Sequence, residues 1–315
     1  MIALNRYGMP RPGWINPAWL SLCCLAVICL SSLSSASAAD KLQVYTVNYP
    51  LAYFAERIGG AYVDVQFPAP ADSDPAFWMP DTAIIAAYQQ ADLILLNGAD
   101  YAKWVEKVSL PRRKLVNTSS PFRDDYITGS DGMTHQHGPG GEHSHTGTAF
   151  TTWLDFSQAA GQAEQVAMAM TKLRPAHAEV FAENVRRLQH DLMQLDARLH
   201  EITANNPELP LLASHPVYQY LARRYGLNLR AVTWEPDTYP DASSWQAFES
   251  LQEAHPAHWM LWEDEPLDGT RESLLKSGVN IVVFKPGMNR PAQGDFMTVM
   301  QANIEALAEP FNVPP

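Results

Sequence analysis

Cysteine is scarce in this sequence, and the few that occur lie close to the amino-terminal end. The 315 residues include three cysteines, Cys23, Cys24 and Cys29. The rest of the chain therefore has no disulfide and no thiolate, so its apolar core must hold the fold. Any metal site there must use His, Asp, Glu or Met, and a cysteine nucleophile is excluded.

Positive charge is also scarce. There are 22 Lys and Arg against 34 Asp and Glu, which gives a formal net charge of −12. Because binding to a phosphate backbone needs clustered basic side chains, this balance argues against nucleic acid as a partner. The sequence has no Walker A motif, no G-x-S-x-G elbow and no G-x-G-x-x-G turn. We therefore predict a binding protein without catalytic residues.

The amino-terminal segment has the order of a secretory signal. Arg6 and Arg11 precede an apolar run at residues 18–30, and small residues follow up to Ala39. The run is shorter than the roughly 20 residues that a membrane-spanning helix needs. We predict a cleavable signal peptide at residues 1–39 and a periplasmic protein, with an uncleaved anchor as the alternative. Removing this segment takes away two arginines and no acid, so the remainder is more acidic still.

Two series of short apolar runs alternate with helical patterns in the rest of the chain. A long apolar periodicity from His177 to Thr203 lies between the two series and predicts a single helix. This order predicts an α/β fold of two lobes with parallel sheets, joined by one long helix and with a ligand cleft between the lobes. The predicted boundaries are 40–175 for the N-terminal lobe, 176–204 for the linking helix and 205–315 for the C-terminal lobe.

A histidine-rich segment interrupts the first series at residues 132–147. Four of the ten histidines lie here, at His135, His137, His143 and His145. Neutral imidazole is a good ligand for Zn²⁺, Ni²⁺ and Cu²⁺, so the segment is predicted to contact metal. The alternative is a solvated loop of low complexity.

Several polar and aromatic residues are predicted to lie at the carboxyl ends of strands, where a cleft would be. His215, Glu263 and Lys285 each follow a predicted strand, and Trp78 and Trp153 lie in or beside loops at strand ends. We take His215 and Glu263 as candidate metal ligands. Trp78, Trp153 and Lys285 are candidates for contact with a larger ligand in the cleft, because indole rings suit a bulky planar molecule.

The pattern resembles the zinc/manganese-type periplasmic solute-binding proteins of ABC importers over essentially all of the chain after residue 39. The segments that support the resemblance are Ala213-Ser214-His215-Pro216, Thr152-Trp153-Leu154-Asp155, the Gln90–Gly98 segment and Gly278-Val279. A His-rich loop before the W-L-D segment is similar to the zinc-type members. The resemblance implies Zn²⁺ as the expected metal, with an ABC permease and its ATPase in the inner membrane as partners.

Most of the metal ligands that the resemblance implies are replaced. Ala76 stands where a D-P-H segment has its histidine, and Thr151 stands where a histidine precedes W-L-D by two positions. Lys285 stands where an acid follows the last strand, so only His215 is kept. One histidine is too few for a zinc ion that takes four ligands.

Three hypotheses stay open from the sequence, with a hydrolase as a distant fourth. The first is a metal-binding component of an importer that delivers its ion to a permease. The second keeps the fold but places a metal–chelate complex in the cleft. The third is a periplasmic metal buffer or accessory protein that acts through the histidine-rich loop.

Overall fold

Two four-stranded parallel sheets form the frame of the structure, a computed structural model that describes residues 41–128, 134–136, 142–144 and 147–312. The first sheet has the strand order β2-β1-β3-β4. Its strands are the predicted apolar runs, whose β-branched and aliphatic side chains are buried against helices. They are β1 (Leu42–Thr46), β2 (Val63–Gln66), β3 (Leu93–Leu96) and β4 (Leu115–Asn117).

A short antiparallel pair lies within the histidine-rich segment, where the backbone alone is described. It consists of β5 (Thr134–Gln136) and β6 (Glu142–Ser144). His135 is the register partner of His143 in this pair. His137 and His145 lie outside the described residues.

The second sheet has the order β10-β9-β7-β8, and all of its pairings are parallel. Its strands are β7 (Pro210–Ala213), β8 (Asn228–Ala231), β9 (Trp259–Trp262) and β10 (Asn280–Val283). Strand β7 lies between β8 and β9, so β8 is an edge strand. Two parallel sheets and a long helix between them confirm the predicted α/β fold class.

Helices cover the faces of both sheets and carry the start and stop signals expected from the sequence. Asp81 caps one helix by accepting from the Ile84 N–H, and Gly226 ends another with a φ of 65°. The helices are α1 (Tyr49–Gly59), α2 (Thr82–Gln90), α3 (Phe156–Leu173), α4 (Ala178–Thr203), α5 (Gln219–Tyr225), α6 (Ala242–Ala254), α7 (Asp268–Lys276) and α8 (Phe296–Asn312). Among the residues described between 41 and 312, none of the helices is both apolar enough and long enough to span a membrane.

The long helix α4 buries one apolar face along its whole length. Its buried residues recur every three or four positions, as in Phe181, Val185, Leu188 and Leu192. The last helix, α8, packs against α1, where the ring of Phe296 meets Phe54 edge to face at 5.5 Å. Residues from both ends of the described chain therefore share one core.

A buried carboxylate on α4 links this helix to α5, which lies between two strands of the second sheet. Both oxygens of Asp196 accept from the guanidinium of Arg224, each at 2.9 Å, and Asp196 Oδ1 also accepts from the Tyr225 hydroxyl at 3.0 Å. The Tyr225 hydroxyl oxygen in turn accepts from the Phe156 N–H at the start of α3. Because Asp196 is almost fully buried, its charge depends on this bidentate pair.

Loss of the Asp196 carboxylate is expected to lower the free energy of unfolding by about 2 kcal/mol, below the full cost of breaking a buried pair because Arg224 is partly exposed. Urea unfolding of Asp196→Ala measures this change. The control is Glu183→Ala, which removes an exposed partner of Arg186 and Arg187 on the same helix and is expected to leave the free energy of unfolding nearly unchanged. Equal losses in the two variants would contradict the role given to Asp196.

Candidate metal centre

The parallel pairing of the second sheet continues for a few residues beyond the carboxyl ends of its strands. The Trp234 N–H donates to the carbonyl of Ser214 at 2.6 Å, which keeps the segment after β8 beside the segment after β7. The Ser214 N–H donates to the carbonyl of Leu261 at 2.8 Å, which keeps β9 on the other side. The residues that follow Ser214, Trp234 and Leu261 therefore lie at one edge of the sheet.

Three metal-binding side chains meet at this edge. His215 follows β7, Glu235 follows β8 and Glu263 follows β9. One ligand atom of each lies within 4.8 Å of those of the other two. His215 Nδ1 is 3.2 Å from Glu235 Oε1, and both side chains are shielded, with exposures of 2% and 14%. We call these three residues the metal cluster.

The electrostatics of the metal cluster favour a bound cation. Burial first, and then the neighbouring charges of Glu235 and Asp74, raise the pKa of Glu263 to about 8. Two carboxylates beside a buried imidazole repel each other unless a proton or a metal ion lies between them. Ligand atoms on a tetrahedral zinc ion with bonds of 2.0–2.2 Å are about 3.4 Å apart, so small side-chain rotations would complete the contact.

Asp74 lies in a loop between β2 and α2, close enough to the metal cluster for its charge to act on Glu263. Its Oδ1 accepts from the Ala76 N–H at 2.8 Å, and its charge contributes to the raised pKa of Glu263. The loop is held from the other side by Asn289, whose amide donates to the carbonyls of Pro70 at 2.6 Å and Ser73 at 2.9 Å. A segment that follows β10 thus fixes the loop that carries Asp74.

The three replaced positions have structural contacts in place of metal contacts. Ala76 is buried next to Asp74. The Thr151 hydroxyl donates to the carbonyl of Val217 at 2.5 Å and so links the W-L-D segment to the turn after β7. Lys285 Nζ is 2.8 Å from Asp264 Oδ1, and both side chains are about half exposed.

The two tryptophans proposed for the cleft lie in different environments. Trp153 has 0% exposure, and its indole N–H donates to the carbonyl of Pro286 at 2.8 Å, so in this structure its ring is part of the core. Trp78 is partly exposed in the loop that follows Asp74, and its backbone N–H donates to the Asp74 carbonyl.

Glu235 is the cluster residue that the sequence analysis did not single out. It stands in Trp234-Glu235-Pro236, which has the composition of a surface turn. The available signal was its place just after a predicted strand, the same signal that pointed to His215 and Glu263. The structure brings those two predicted residues together and adds Glu235 between the ends of β8 and β7.

The fold and the metal cluster define an α/β protein with a group of possible metal ligands at the ends of its strands. The family model described as "ZnuA: Zinc-uptake complex component A periplasmic" matches residues 44–310. The chain therefore belongs to this family, as the resemblance in its sequence predicted.

Individual relatives agree with the family assignment. The high-affinity zinc uptake system protein ZnuA of Bacillus subtilis is 25% identical over 286 residues, which cover 88% of this chain and 89% of that protein. The zinc-binding lipoprotein AdcA of Streptococcus pneumoniae is 23% identical over 88% of this chain, but the chain spans only 57% of the length of AdcA. The crystal structure of the Zn(II)-bound ZnuA-like domain of that AdcA has a TM-score of 0.72 at 20% identity, covering 87% of this chain and all of the domain.

Removing the charge of Glu263 is expected to separate stability from metal binding. In Glu263→Gln, the metal-free protein at pH 8.5 should gain about 1 kcal/mol of unfolding free energy, because a buried like charge is lost. Its zinc affinity should fall by at least about tenfold. Urea unfolding and calorimetric titration measure the two effects. The control Glu265→Gln alters an exposed carboxylate two residues away, and it should change neither the free energy of unfolding nor the zinc affinity by more than the experimental error. A less stable variant with unchanged zinc affinity would contradict the assignment.

The raised pKa of Glu263 also predicts a pH dependence. An unfolded glutamate ionises near pH 4.5, whereas the folded one keeps its proton up to about pH 8, so the folded state binds more protons between these values. Metal-free stability should therefore fall as pH rises from about 4.5 to 8. Zinc affinity should rise by up to about tenfold per pH unit toward pH 8, because the metal displaces this proton. Glu263→Gln should lose most of both slopes; unchanged slopes would show that another group titrates.

Proposed function

We propose that this protein is the periplasmic solute-binding component of a metal ABC import system of the zinc type. It binds a divalent metal ion in the metal cluster and delivers the ion to a permease in the inner membrane, which an ATPase drives. The family assignment supports this proposal, as do the names of the relatives, which describe zinc uptake and zinc binding. No catalytic step is part of the proposal.

The observation that supports the binding site is the meeting of His215, Glu235 and Glu263 at the ends of three parallel strands. One imidazole nitrogen and two carboxylate oxygens are donors that zinc accepts, and they supply three of its four positions. Asp74, from the first series of elements, is close enough for its charge to raise the pKa of Glu263. The cluster thus replaces the ligands lost at Ala76, Thr151 and Lys285 with carboxylates from neighbouring strands.

A cargo protein must bind its ion tightly and still release it. A cluster built from flexible carboxylates around one fixed histidine suits this purpose, because each glutamate can leave by side-chain rotation while the sheet stays intact. The predicted periplasmic location and signal peptide agree with such a role. Zinc is the first expectation for the ion, with other divalent metals as weaker candidates because carboxylate oxygens also bind manganese.

Zinc-dependent stabilisation tests the proposal. At a hundredfold excess of free zinc over its dissociation constant, the wild-type protein should gain about 2.7 kcal/mol of unfolding free energy. His215→Ala should lose this gain. His190→Ala removes an exposed histidine from α4 and is the matched control, which should keep the gain. Deletion of residues 132–147 should also leave it in place.

The same experiment separates the proposal from a buffer that acts through the histidine-rich loop. If the deletion of 132–147 removes the zinc effect and His215→Ala leaves it intact, the metal cluster is not the binding site. The protein would then act through His135, His137, His143 and His145. If the deletion variant keeps the stabilisation by zinc and His215→Ala loses it, the result supports the metal cluster as the binding site.

A further inference from the structure

A cavity next to the metal cluster is much larger than a metal ion requires. It has a volume of about 430 Å³ and reaches His215, which it shares with the cluster. It runs from His215 along the edge strand β8 toward α5. A water molecule occupies about 30 Å³ in the liquid, so an ion with two or three waters would take up about 100 Å³. Most of this space is therefore available to another molecule.

The lining of the cavity suits an organic ligand with an apolar body. Its described walls include the aromatic rings of Phe77 and Phe150 and the aliphatic side chains of Val217 and Leu229. Such surfaces bind flat or hydrophobic parts of small molecules, and a few polar groups then set the orientation. Hydrated inorganic ions gain nothing from walls of this kind.

The charges at the cavity indicate a negative ligand. Lys103 and Arg230 both line it and both are exposed, so they place two cationic groups at its solvent side. Asp100 also lines the cavity, and its carboxylate accepts from the Thr148 hydroxyl at 2.7 Å. The two cations and the one carboxylate give this lining a net charge of +1, which in a chain with a formal net charge of −12 favours an anion.

The metal cluster leaves room for a donor from such a ligand. Its three residues provide one donor atom each, whereas zinc takes four or five. His215 is the one cluster residue among the described residues that line the cavity, so a molecule in the cavity would approach the ion beside this imidazole. A chelating end would thus point at the ion while an apolar body occupies the walls.

We propose that the cavity binds a small aromatic carboxylate chelator, so that the cargo is held as a ternary complex of protein, metal and chelator. This inference rests on the proposed function, because His215 is part of both sites. Phe77 and Phe150 contact the ring, Lys103 and Arg230 attract the carboxylate, and the open metal position takes the chelating atoms.

Equilibrium dialysis with radiolabelled picolinate (pyridine-2-carboxylate) tests the inference, with zinc followed in the same samples. The wild-type protein should retain about one picolinate per chain when zinc is present and none when it is absent. Nicotinate (pyridine-3-carboxylate) is the matched probe, because it has the same ring and charge but cannot chelate. It should not be retained under either condition.

Two kinds of variant locate the chelator. Ala222→Phe places a ring in the cavity from α5 and should abolish picolinate retention while zinc is still bound. The control Ala197→Phe makes the same change at an exposed position of α4 and should retain both. The double variant Lys103→Gln with Arg230→Gln leaves the core untouched and should weaken picolinate retention by at least about tenfold.

The outcomes separate this inference from the proposed function. If zinc is retained and picolinate stays in solution or strips the zinc, the chelator site is refuted and the metal site stands. If neither zinc nor picolinate is retained by the wild-type protein, both proposals fail. If Ala222→Phe and the charge variant retain picolinate as the wild type does, the chelator does not bind in this cavity and the inference is overturned.

Discussion

Strand β7, an inner strand of the second sheet, determines where the residues of the metal cluster lie. Backbone hydrogen bonds at Ser214, one accepted from Trp234 and one donated to Leu261, keep three strand ends in step. Without this register, His215, Glu235 and Glu263 would be separate surface residues of three turns. A shift in this register would separate the three side chains, because each lies beyond the end of a different strand.

This constraint explains how a member of the family can lose most of the implied ligands. Thr151 and Trp153 contribute bonds to Val217 and Pro286, so the segment that elsewhere supplies a histidine joins the two series of elements here. The possible metal ligands that the structure brings together follow three strands of one sheet. Asp74, in the loop that Asn289 holds, is a residue of the first series whose charge raises the pKa of Glu263.

Local sequence signals were enough to predict most of the fold. Apolar runs gave the strands, and the periodicity from Phe181 to Leu192 gave the long helix. His215 and Glu263 were predicted because each follows a strand. Glu235 was not, because its position depends on pairing with β7, a contact between distant parts of the chain. The burial of Trp153 was likewise hidden, since its partner Pro286 lies 133 residues away.

The ligand set of the bound metal is the most direct test of this account. Zinc X-ray absorption spectroscopy of the loaded protein counts imidazole and oxygen neighbours around the ion. The account predicts one imidazole with the remaining donors being oxygen or light atoms of a co-ligand, and the imidazole signal should vanish in His215→Ala. Three or four imidazoles around zinc, unchanged by that substitution, would place the ion at the histidine-rich loop and contradict it.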